Sequence, residues 1–202
     1  VIDISTDDAL ITAPEKRDGY FHPDVGNPAL VQKALFEATD LVGEFEKPRY
    51  IKYDAEICVH ARSTQVGCTR CLDICPTGAI TPGNDEVVIN PYICAGCGSC
   101  ASVCPTGAAK YELPAENFIY ERLKLLLDSY VDAGGDEPVL LVHDTRHGEE
   151  MISVLSRMGR GLPANVLPFA VNEITQVGLD FMAVALGYGA SKIFFLTGPG
   201  NA

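Results

Sequence analysis

At 202 residues, 47% of them hydrophobic, the chain is long and apolar enough to bury a core as one ample domain or two small ones. Its formal charge of −12 lacks the basic footprint that nucleic acid or an anionic membrane surface requires, and suits a partner protein with a basic docking face. No run reaches the ~18 apolar residues of a membrane helix, and Val1-Ile2-Asp3-Ile4-Ser5 has neither the basic start nor the apolar stretch of a secretory signal, so a soluble cytoplasmic protein is expected.

The chain opens on Val1 and breaks off at Thr197-Gly-Pro-Gly-Asn-Ala202, just after an apparent strand, as expected of a piece of a longer polypeptide. The first predicted element is an amphipathic helix. Asn27 caps it, Pro28 takes its first position, and Leu30, Val31, Ala34, Leu35, Ala38, Leu41, Val42 and Phe45 form its apolar stripe, ended before Pro48. Residues 1–49 thus make an N-terminal segment, the most acidic relative to its basic content, with 5 basic against 10 acidic residues.

The next region holds all eight cysteines and an internal repeat. CLDICPTGAI, from Cys71, has a near copy in CASVCPTGAA, from Cys100. Aligning Cys58 with Cys94 puts Asp54 on Asn90 and Ile57 on Ile93, and Cys68, Cys71 and Cys75 then fall on Cys97, Cys100 and Cys104 once a seven-residue excess is passed. Two half-domains of common plan follow. The second run, Cys94-Ala-Gly-Cys97-Gly-Ser-Cys100-Ala-Ser-Val-Cys104-Pro105, is C-x2-C-x2-C-x3-C-P, a spacing used for [4Fe–4S] clusters. Three thiolates must converge from one tight loop, and Ala95, Gly96, Gly98 and Ser99 are small enough for backbone amides to approach the cluster sulfurs. Structural zinc favours two cysteine pairs with a long spacer, and disulfides need an oxidising compartment.

Residues 50–112 therefore resemble the two-cluster bacterial ferredoxins. The resemblance implies an α+β ferredoxin-like two-cluster domain in a bacterial protein, with crossed ligation of two [4Fe–4S] clusters. Cys58, Cys68, Cys71 and Cys104 would hold one, and Cys94, Cys97, Cys100 and Cys75 the other. The departure from the family pattern lies in the first run, where nine residues, Val59 to Gly67, separate Cys58 from Cys68; Cys58 is the irregular ligand. Ile74 and Val103, at equivalent places, either shield the clusters or fill core. His60, Arg62 and Arg70 are expected on a solvated loop, and Tyr53, Tyr92 and Tyr111 as core or shielding aromatics.

A second flanking helix is predicted from about Pro114 to Asp132, with Phe118, Ile119, Leu123, Leu126, Leu127, Tyr130 and Val131 apolar and Gly134-Gly135 as its stop. It connects, over 113–135, to a cysteine-free βαβαβ pattern in 136–202: strands at Val139–His143, Asn165–Val171 and Lys192–Thr197, helices at Glu149–Met158 and Thr175–Tyr188. Its candidate ligand loops, His143–Gly148 and Thr197–Gly200, match neither a dinucleotide fingerprint nor a P-loop. Leu162–Pro168 and Ala185–Leu196 resemble the iron–sulfur (delta) subunit domain of hydrogenase and heterodisulfide reductase assemblies. The whole chain resembles the central part of larger multi-cluster proteins that accompany bacterial formate dehydrogenases.

These readings point to an electron-transfer protein or oxidoreductase subunit that makes no bonds, with a redox protein as partner. Two rivals stand beside it: a flavin- or nucleotide-binding enzyme with its site in the α/β domain, and a structural or oxygen-sensing iron–sulfur module.

Overall fold

The computed structural model describes residues 1–11, 19–44, 46–60 and 65–198; Phe45, Arg62 and the end of the Thr197–Gly200 loop lie outside them. Helix α1, Pro28–Asp40, starts as predicted: Asn27 Oδ1 accepts from the Ala29 N–H at 3.1 Å, and Pro28 stands at the first helical position. It ends earlier than its apolar stripe implies, because Leu41 caps it and Gly43, at φ 145°, leads the chain away. Only Ala34 of the helix is buried, while Leu30, Leu35 and Phe36 are exposed.

The cysteine region is built twice over. Strand β1 (Ile51–Tyr53) leads through the first cysteine run and helix α2 (Arg70–Ile74) to β2 (Ile80–Pro82). Strand β3 (Val87–Ile89) leads through the second run and α3 (Ser99–Ser102) to β4 (Ala109–Tyr111). Each half lends its first strand to the other half's last: β1 pairs antiparallel with β4, Lys52 opposite Lys110, and β2 with β3, Thr81 opposite Val88. The exchange is repeated in single bonds. Asp54 N–H donates to Ala108 O and Asn90 N–H to Ala79 O, both at 2.8 Å. Asp54 and Asn90, aligned in the sequence repeat, also accept from the N–H two residues on, that of Glu56 and that of Tyr92. Ile51, Ile80, Val87, Cys100, Ala109 and Tyr111 form the small core between the halves.

Helix α4, Glu116–Asp132, ends in the expected glycine stop. Gly134, at φ +85°, donates to Val131 O, and Gly135 donates to Tyr130 O, a paired closure of the last turn. The chain then enters a three-stranded parallel sheet, β5 (Val139–Asp144), β6 (Val166–Val171) and β7 (Lys192–Leu196), in the order β6-β5-β7. Helices α5 (His147–Met158) and α6 (Leu179–Gly187) make the crossovers. The predicted Thr175–Tyr188 helix is split: a 3-10 turn, Ile174–Gln176, precedes the break at Val177-Gly178. α4 is more than a connector. Its Ile119, Leu123 and Leu127 share one core with Leu140, Val142, Phe169, Val171, Phe181 and Ala185, whereas Phe118 and Val131, expected on the apolar side, are exposed. No helix among the described residues is long and apolar enough to cross a membrane.

Candidate iron–sulfur centre

All eight cysteines carry free thiols, and the duplicated fold brings four of them, from both runs, to one small cavity. Cys58, Cys68, Cys71 and Cys104 line it together with Tyr53, His60 and Val87. The charged neighbours that act on the Cys71 thiol are Cys68, Cys104 and Cys58; those acting on Cys100 are Cys97, Cys94 and Cys75, and after them Cys71. Cys75, from the first run, therefore stands with the second set, and Cys104, from the second run, with the first. Cys58 and Cys100 are buried and the other six half-buried.

Helices α2 and α3 make this exchange possible. Each spans barely a turn and a fraction, carries one cysteine inside it, and delivers Cys75 or Cys104 just past its end. After each, the chain repeats one turn: Gly78 N–H donates to Cys75 O and Gly107 N–H to Cys104 O, with both glycines at positive φ (64° and 67°). The Thr77 and Thr106 hydroxyls lie 3.8 Å from the Cys75 and Cys104 sulfurs. The duplicated Cys-Pro-Thr-Gly-Ala is thus one local structure used twice.

The electrostatics favour a cation core among these sulfurs. Burial, then the charges of Cys68, Cys104 and Cys58, push the Cys71 thiol up to about 11. Burial pushes Cys100 higher still, and Cys94 is raised by burial against the opposing Gly96 N–H. Cys104 moves the other way: its burial is outweighed by the N–H groups of Ala109, Thr106 and Ala108, the first donating to its sulfur at 3.5 Å. Four crowded thiolates repel one another until positive ions gather them. Among the described residues, no three His, Cys, Asp or Glu side chains close together as around a single ion. The residues fit a larger core: soft sulfur donors in two sets of four, with backbone N–H groups at the sulfurs.

The neighbours expected from sequence fall out unevenly. His60 is buried, not solvated: the loop closes on itself through Gly67 N–H to His60 O at 2.7 Å, and the ring Nδ1–H donates to Cys68 O at 2.8 Å. Arg70 is exposed. Tyr53 borders the first thiol set, its hydroxyl accepting from Val87 N–H, while Tyr92 is 82% exposed and shields nothing. Ile74 and Val103 fill no core; both line an open cleft of about 1100 Å³ between the cysteine region and the α/β domain.

Sequence reading missed the contacts that the α/β domain makes on the second cysteine loop. Tyr111 donates to Gly96 O at 2.8 Å and accepts from Asn172 Nδ2 at 2.6 Å, and Thr175 Oγ1 donates to Cys97 O. Gln176 packs against Gly98, where a Cβ would stand 2.5 Å from the Gln176 Cβ. The Gln176 amide is buried with no hydrogen-bond partner among the described residues. Two glycines, Gly98 and Gly178, mark this close approach, but nothing in their local sequence says what approaches.

Residues 66–108 match the 4Fe-4S dicluster domain family. The match supports an iron–sulfur domain of ferredoxin type in this part of the chain, and with it iron–sulfur electron transfer. The matched span holds seven of the eight cysteines and begins after Cys58. No curated protein and no solved structure matches the chain. The expected likeness of 138–197 to the delta subunit domain, and of the whole to a larger multi-cluster protein, therefore rests on its sequence motifs alone.

Proposed function

We propose that this chain carries single electrons through two [4Fe–4S] clusters in a ferredoxin-like two-cluster domain. Cys58, Cys68, Cys71 and Cys104 hold one cluster, and Cys94, Cys97, Cys100 and Cys75 the other. The observation that supports the reading is the cavity that Cys58, Cys68 and Cys71 share with Cys104 of the opposite run, with Cys75 correspondingly close to Cys94 and Cys100.

When bound, such clusters supply one-electron couples within roughly −700 to +450 mV. The chain's own residues do the remainder. The thiols hold the iron, the N–H groups of Ala109 and Gly96 face Cys104 and Cys94, and Ile80, Val87, Ala109 and Tyr111 keep water from the space between the sets. The acidic surface suits a basic redox partner, and the α/β domain suits attachment to a larger oxidoreductase complex.

Iron, acid-labile sulfide and zinc per chain, measured on anaerobically purified protein with a spectrum before and after dithionite, test this directly. About eight irons and eight sulfides, with bleaching on reduction, are expected. Zinc without sulfide would replace this reading with a structural metal site, and bound flavin would favour the enzyme alternative.

A further inference from the structure

The loop from Cys94 to Cys100 is anchored at two carbonyls, and both anchors lead to the α/β domain. Thr175 donates directly to Cys97 O, and Asn172 reaches Gly96 O through the Tyr111 hydroxyl. In a trans peptide the C=O and N–H point in opposite directions. Holding these two carbonyls toward the α/β domain therefore turns the N–H groups of Cys97 and Gly98 the other way. Neither N–H has a hydrogen-bond partner among the described residues. One peptide earlier, the Gly96 N–H faces the Cys94 thiol. Gly96 and Gly98, at φ +79° and +78°, give the alternating backbone in which successive N–H groups converge on one anion.

We infer that Asn172 and Thr175 are positioning residues for the cluster held by Cys94, Cys97, Cys100 and Cys75: they fix the peptide planes whose N–H groups favour its reduced form. This rests on the two-cluster reading above. The first thiol set has no such anchor from the α/β domain among the described residues, so the second domain acts on one cluster and leaves the other alone. A partner that shifts the segment between β6 and α6 would then change one potential of the two.

The test uses the full chain, purified anaerobically, as wild type and as Thr175→Val, Asn172→Leu and the conservative Thr175→Ser. Each is followed by iron content and by a redox titration monitored by electron paramagnetic resonance. A Cys58→Ala variant identifies the signal of the first cluster. Thr175→Val and Asn172→Leu should move the second cluster's midpoint potential downward, or lose its iron selectively, with the first signal unmoved and Thr175→Ser close to wild type. Unshifted potentials at full iron content would overturn the inference, as would an equal shift or equal loss of both signals, which is the mark of a merely structural contact. Wild-type protein that holds no iron would instead overturn the two-cluster reading itself.

Discussion

Cys75 belongs to the first run by sequence and to the second thiol set by position, since it acts on Cys94 and Cys100. Replacing it by Ser should therefore damage the second cluster, with loss of about one to four irons, and leave the first cluster's signal intact. Iron analysis with paramagnetic resonance reads this, and damage to the Cys58 set instead would refute crossed ligation. Cys58→Ala should remove only about one iron, leaving a three-iron core on Cys68, Cys71 and Cys104. Seven of the thiols stand out in the sequence because a motif of fixed spacing carries their chemistry, whereas Cys58, nine residues ahead of Cys68, lies outside that spacing and outside the matched span. Gly98 was legible only in part. Its smallness was expected to admit amides, yet the space its Cβ would fill is taken by Gln176, and no local pattern announces a contact across that many residues. Gly98→Ala meets both the left-handed backbone, about 1–2 kcal/mol, and the Gln176 backbone at 2.8 Å, about 1–3 kcal/mol. Gly161→Ala, at φ +71° with open space around it, meets the backbone cost alone. Thermal unfolding should rank Gly98→Ala well below Gly161→Ala, and equal melting temperatures would show that the Gln176 contact is slack.

At the scale of elements, α4 decides where the α/β domain begins. Leu127 is fully buried against the parallel sheet, so Leu127→Ala should cost about 2–5 kcal/mol in denaturant unfolding. Phe118, 52% exposed on the same helix, should cost about 0.5 kcal/mol or less when cut to Ala. A small effect at Leu127 would mean that α4 is a connector after all. The sequence showed that this helix exists, and Gly134-Gly135 showed where it ends, because a left-handed closure leaves a local signature. Which arc of the helix meets the sheet was not legible: Phe118, Ile119 and Val131 all sat on the apolar side, and only packing against Leu140, Phe169 and Phe181 selects Ile119. The split of the last predicted helix has the same origin. Ile174–Gln176 is drawn onto α3, and Gly178 passes so close to Ser102 that a Cβ would stand 2.7 Å from its carbonyl oxygen. Periodicity across Thr175–Tyr188 reports apolar spacing and carries no trace of that contact.

At the scale of the molecule, the two cores are of unequal strength. The α/β core gathers eleven buried residues from α4, the strands β5 and β6, and the second crossover, with Ile193 of β7 partly buried against them. The cysteine region gathers six, one of them Cys100, around two sheets of two three-residue strands each. Two-stranded pieces of that size are marginal alone, and a region this small with so few buried residues is marginal without a metal or cross-link. Burial and neighbouring sulfurs also hold Cys71 and Cys100 against ionisation, a cost that binding iron would offset. Removing the iron by anaerobic chelation should therefore unfold the chain in part. Amide hydrogen exchange followed by mass spectrometry should lose protection across β1, β2, β3 and β4 and keep it in β5, β6 and α4. The Thr175 contact to Cys97 would go with the first group, since its acceptor lies in the loop that loosens. Protection lost in both regions at once would mean that the interface, not the parallel-sheet core, holds the α/β domain together. Protection kept in both would mean that the cysteine region folds without iron, and the thiols would then be held by protein packing alone.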